Sequence, residues 1–93
     1  MNDKPQWQLK LDTPSFGRAL RKLDPPVRKR ILISLSAIRD SANPRSRGKA
    51  LTGDKSGLWC YRVGDWRIIV DIQDALLIVL ALDVDHRGSI YRK

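Results

Sequence analysis

The chain has 93 residues and a mass of 10.6 kDa, too little to bury two separate cores, so one domain spanning 1–93 is expected. Hydrophobic residues at 42% and charged residues at 30% exclude a disordered tail, and a single Cys with a single His excludes an internal disulfide and a structural zinc site. Eighteen Lys and Arg against ten acids leave a net charge of +8, a balance that favours polyanionic or acidic partners, nucleic acid foremost.

Residues 1–10 lack the apolar stretch of a signal peptide, and no apolar run approaches the roughly 18 residues of a membrane helix. A cytoplasmic protein without membrane contact is the expectation. Trp7, Leu9 and Leu11 alternate with Gln8, Lys10 and Asp12, the period-two pattern of a half-buried strand. Thr13 before Pro14 reads as a helix start, and Phe16, Leu20 and Leu23 follow at helical spacing. Asp24 before Pro25 repeats the signal. There Val27, Ile31, Leu35 and Ile38 form the apolar stripe of a second helix running to about Asp40, with Arg28, Lys29, Arg30 and Arg39 on its other face.

Asn43 and Pro44 stop that helix, and 41–57 reads as the longest loop. Arg45, Arg47 and Lys49 cluster in it with no acid before Asp54 and are candidate RNA contacts. From Leu58 the pattern changes to strands, 58–63, 66–71 and 76–82, separated by Gly64-Asp65 and Gln73-Asp74. The order is β-α-α-β-β-β. The expected fold is α+β, a four-stranded antiparallel sheet covered on one face by a helical hairpin.

If Gly64 and Asp65 form a two-residue turn, Val63 faces Trp66, Arg62 faces Arg67, Tyr61 faces Ile68 and Cys60 faces Ile69. One side of the hairpin then carries Trp59, Tyr61, Val63, Trp66, Ile68 and Val70, a surface for the helices to cover. The other carries Leu58, Cys60, Arg62, Arg67, Ile69 and Asp71 and is expected to be exposed. Two arginines directly opposite each other cost a few tenths of a kcal/mol, up to roughly 1, unless an anion such as a phosphate lies between them. The alternative is that each leans into solvent or onto Asp71.

All ten acids are Asp, so no glutamate base is available. The acid-base candidates are His86, Cys60, Tyr61, Tyr91, the aspartates and the lysines. His86 sits in a basic C-terminal stretch with Arg87 and Tyr91, and Tyr91 has little core left to enter and could stack on an unpaired base.

Two runs, Leu58-Trp59-Cys60-Tyr61-Arg62-Val63-Gly64-Asp65-Trp66-Arg67-Ile68-Ile69 and Val84-Asp85-His86-Arg87-Gly88-Ser89-Ile90-Tyr91-Arg92, with Leu51-Thr52-Gly53 upstream, resemble the RelE/ParE superfamily of type II toxins. The resemblance follows element order over the whole chain. It implies a RelE-like, ribosome-dependent mRNA endoribonuclease that needs no cofactor or metal. Such a toxin is neutralised by a cognate antitoxin and meets operator DNA only through the antitoxin complex. By this resemblance Arg67 aligns with the arginine that stabilises charge on the scissile phosphate. Tyr91 aligns with the aromatic that stacks on or deprotonates the substrate, and Arg87 with a basic residue of the C-terminal site. Arg62 would join Arg67 on the phosphate, and His86 shares with Tyr91 the proton-handling role. The chain departs from the family at Leu58 and Cys60, where its best-known ribosome-dependent members carry lysines, and near Asp85, where a further arginine aligns. These departures keep open a ParE-like inhibitor of DNA gyrase without nuclease activity, and an inactive homologue acting only as a co-repressor.

Overall fold

The computed structural model describes residues 6–86. Strand β1 (Gln8–Lys10) leads into helices α1 (Pro14–Arg21) and α2 (Pro25–Asp40), then strands β2 (Lys49–Ala50), β3 (Trp59–Val63), β4 (Trp66–Gln73) and β5 (Ile78–His86). Short 3-10 turns occupy Pro44–Ser46, Gly53–Lys55 and Asp74–Leu76. The α+β class and the helical hairpin are as expected.

Two features of the sheet differ from expectation. It has five strands rather than four, in the order β1-β5-β4-β3-β2, because Lys49–Ala50 pairs with Cys60 and Trp59. Two residues are too few to register as a period-two pattern. The sheet is also mixed: β1 runs parallel to β5, Leu9 opposite Val79, since the chain leaves β1 through both helices before the remaining strands form. Everything from β2 to β5 is antiparallel.

Both helices begin with proline in the first turn, where its missing N–H costs nothing. Neither Thr13 nor Asp24 makes a side-chain cap. Thr13 Oγ1 instead donates to the Ala81 carbonyl at 2.6 Å, and Ser15 Oγ donates to the Leu82 carbonyl, tying the start of α1 to β5. That attachment falls where β5 carries a bulge: Ile69 faces Asp83 while Val70 faces Ala81, leaving Leu82 as the extra residue. The bulge lets Ala81 and Val84, three apart, both enter the core, and leaves Asp83 and Asp85 to the opposite side.

Phe16 of α1 and Ile31, Leu35 and Ile38 of α2 pack on Tyr61, Ile68, Val70, Ile72, Val79, Ala81 and Val84 of the sheet. Each large side chain removed from water here contributes about 1.5–3 kcal/mol. Trp59, Val63 and Trp66 flank this core, so the tryptophan side of the hairpin is the covered one. The other side is only partly wet. Cys60 and Ile69 are 4% and 3% exposed, against the expectation of an exposed face, because each lies mid-sheet with a strand on either side. Among the described residues no helix is long and apolar enough to cross a membrane.

Candidate nucleic-acid interface

The β3–β4 hairpin turns at Gly64-Asp65, where Gly64 takes the left-handed φ of 60° that this tight turn requires. The resulting register pairs Val63 with Trp66, Arg62 with Arg67, Tyr61 with Ile68 and Cys60 with Ile69. Paired residues project to the same side of a sheet. Arg62 and Arg67 therefore stand opposite each other on the side away from the helices, as the turn chemistry predicts.

The row extends beyond the arginines onto β5, and a further cation stands one row away on β2. Asp85 of β5 faces Arg67, with its Oδ2 3.8 Å from Arg67 Nη2. One row along the strands, Lys49 of β2 faces Cys60, and both Lys49 and Arg67 act electrostatically on the thiol. Three strands thus contribute one cation each to a single patch: Lys49, Arg62 and Arg67. Arg62 is exposed, whereas the Arg67 side chain is 23% exposed and, among the described residues, its Nε is buried without a hydrogen-bond partner. Of the other acids on this side, Asp71 accepts from Gln73 Nε2 at 3.0 Å and Asp83 accepts from the Val84 amide at 2.8 Å. Arg67 thus leans toward Asp85, not Asp71.

The structure narrows the acid-base candidates. Burial pushes the Cys60 thiol up despite the neighbouring cations, which leaves it neutral and a poor nucleophile. Burial likewise raises Tyr61 to about 12, and its hydroxyl donates to the Pro44 carbonyl at 2.7 Å on the helix-covered side. His86 faces Trp66 across β4 and β5, the two rings meeting edge-on with centroids 4.8 Å apart. It stands on the tryptophan side, separated by the sheet from Arg67, because one residue along a strand reverses the side chain. Arg87 and Tyr91 lie outside the described residues.

The loop cations also divide. Lys49 joins the arginine patch. Arg45 does not: its Nη1 and Nη2 each meet an Asp74 carboxylate oxygen at 2.8 Å, and its guanidinium lies 5.9 Å from the Trp59 ring centre, on the helix-covered side. This pairing raises the Arg45 pKa and lowers that of Asp74. Arg47 is exposed, and its carbonyl accepts from Trp59 Nε1 at 2.7 Å. Sequence reasoning missed two partners, Asp74 for Arg45 and Asp85 for Arg67. The first is 29 residues distant from Arg45, and the second depends on the β5 bulge.

A family model described as the ParE toxin of type II toxin-antitoxin system, parDE, matches residues 13–91. Toxin RelG of Mycobacterium tuberculosis is 37% identical over 84 residues, covering 87% of this chain and 92% of that protein. Among solved structures, the RelBE2 toxin-antitoxin complex of M. tuberculosis contains a chain that matches with a TM-score of 0.78 at 26% identity, over 89% of this chain and all of the other. The archaeal RelE-RelB complex of Pyrococcus horikoshii OT3 matches in fold with a TM-score of 0.67 at 23% identity, over 90% and 98%. With a family match across most of its length and a curated toxin relative of nearly equal extent, this chain belongs to the RelE/ParE superfamily of type II toxin-antitoxin toxins.

Proposed function

We propose that this toxin is a RelE-like endoribonuclease that cleaves mRNA on the ribosome, in the cytoplasm, and is held inactive by a cognate antitoxin. The observation that carries this reading is the direct opposition of Arg62 and Arg67 on the side of the sheet that the helices leave uncovered, with Lys49 beside them. Like charges held face to face on a rigid hairpin make a preformed anion site, and the extended backbone of single-stranded RNA supplies the anion.

In cleavage of this kind the 2'-hydroxyl oxygen attacks the adjacent phosphorus and its proton leaves to a base. A P–O2' bond forms as the P–O5' bond breaks, and the 5' oxygen collects a proton. Charge accumulates on the non-bridging oxygens in the transition state, where the Arg67 and Arg62 guanidiniums stabilise it. On the strength of the family resemblance, Tyr91 is assigned the proton-handling role and Arg87 a place as a basic residue of the C-terminal site. His86 stands on the far side of the sheet from this phosphate site, beside Trp66. With proton transfer thinly provided, alignment of the substrate by the ribosome supplies much of the rate.

The likeness to a toxin held in the RelBE2 complex supports an antitoxin partner, and a chain of net charge +8 suits an acidic one. Operator DNA is reached through that complex. A second reading, a ParE-like gyrase inhibitor, is favoured by the ParE description of the matching family model and by Leu58, Cys60 and Asp85 at positions where cations align in RNA-cleaving members. Primer extension on mRNA from cells induced to express the toxin separates the two. Codon-phased cuts support the endoribonuclease; intact mRNA with a DNA-damage response supports the gyrase inhibitor.

A further inference from the structure

Strand β2 is two residues long, with both residues exposed, and its pairing with β3 is followed by one bond from the Leu51 amide to the Leu58 carbonyl at 3.0 Å. So short a ladder does not fix its own register. What fixes it lies immediately upstream, on the helix-covered side. Tyr61 Oη binds the Pro44 carbonyl, Trp59 Nε1 binds the Arg47 carbonyl, and Arg45 spans from the Trp59 ring to a two-pronged contact with Asp74. Gly48 then passes so close to β3 that a Cβ there would collide with the Cys60 carbonyl oxygen and lie 2.7 Å from Trp59 Nε1. The next residue is Lys49, delivered around the sheet edge to the arginine patch.

We infer that Arg45 and Asp74 are positioning residues, a clamp on one side of the sheet that holds Lys49 in register with Cys60 on the other, the side that carries Arg62 and Arg67, so that a carboxylate remote from the phosphate site governs phosphate binding there. The inference rests on the RNA-binding reading above and deepens it. Arg45 is thereby removed from the set of direct RNA contacts: its planar donor fork is spent on the matching carboxylate.

The sign of one substitution separates a clamp from a direct RNA ligand. Asp74→Asn raises the net charge, and if Arg45 touched RNA it would also free that cation, so both effects strengthen binding. A clamp requires the reverse. The test is the salt dependence of binding to a short, unstructured, 2'-O-methylated RNA, which is bound without being cut, using full-length protein from cell-free synthesis. Neutralising one phosphate fewer on a single strand flattens the slope of log affinity against log salt by about 0.7. Lys49→Ala should flatten it by about that amount. Asp74→Asn should flatten it likewise, and should add nothing in a Lys49→Ala background. The swapped pair Arg45→Asp with Asp74→Arg, which keeps the net charge, should restore it. A merely structural loss would lower the folded fraction, read by circular dichroism, without changing the slope of the folded remainder. An unchanged or steeper slope in Asp74→Asn, with Lys49→Ala and Arg67→Ala both flattening it, overturns the clamp and leaves the RNA site standing. Unchanged slopes in Lys49→Ala and Arg67→Ala overturn the RNA reading itself.

Discussion

Arg67 and Asp85 face each other across β4 and β5 with 3.8 Å between guanidinium and carboxylate, too long for a strong hydrogen bond. The acid thus offsets the charge of Arg67 without taking up its hydrogen bonds. It also stands where a bound phosphate would be repelled. Asp85→Asn should therefore tighten binding of single-stranded RNA by about 2- to 5-fold, the range of a partly exposed charge pair. Fluorescence anisotropy at fixed salt measures this, and weaker binding would show that Asp85 instead holds Arg67 in its working position.

The opposed arginines carry an electrostatic cost that a bound anion would relieve. Arg62→Ala removes one of two like charges facing each other, so it should leave stability unchanged or raise it by a few tenths of a kcal/mol. The same variant should weaken RNA binding. Urea denaturation beside anisotropy tests the pair of signs. A destabilisation above about 1 kcal/mol would mean that Arg62 has a structural role in the fold.

Tyr61 links the fold to alkaline pH. Its pKa is pushed from 10.0 to about 12 by burial, so the folded state keeps the proton where the unfolded state releases it. The stabilisation is complete below pH 10 and is lost as pH rises toward about 12. Denaturation curves should show stability falling through that window, and Tyr61→Phe should lack this component. The variant also gives up the hydroxyl bond to Pro44, at a cost of about 1 kcal/mol near neutrality.

Gly48 is held at φ 80° against the backbone of β3. Gly48→Ala meets the left-handed penalty of about 1–2 kcal/mol and, in addition, a clash with a carbonyl that cannot swing away. Loss of at least that much stability is expected in urea. Because the displaced segment carries Lys49, the surviving folded protein should also bind RNA less tightly.

Some of this arrangement is legible in the sequence because single residues enforce it. Pro14 and Pro25 mark both helix starts, and Gly64-Asp65 fixes the register that sets Arg62 against Arg67. The apolar run of β5 has no alternation to read, so the bulge at Leu82 is invisible, and with it the placement of Asp85 opposite Arg67 and of His86 beside Trp66. Lys49 and Arg45 look equivalent in a basic loop. Only pairings far apart in sequence, Lys49 with Cys60 and Arg45 with Asp74, assign them to opposite sides of the sheet. The parallel pairing of β1 with β5 is equally non-local.

The claim that the uncovered side of the hairpin is an RNA site is tested most directly by Arg67→Ala, expressed in cells beside the unaltered toxin, with mRNA ends mapped by primer extension and folding checked by circular dichroism. Growth arrest and cuts with the unaltered toxin, both abolished in a folded Arg67→Ala protein, are the expected result. Undiminished cutting by that variant would contradict it.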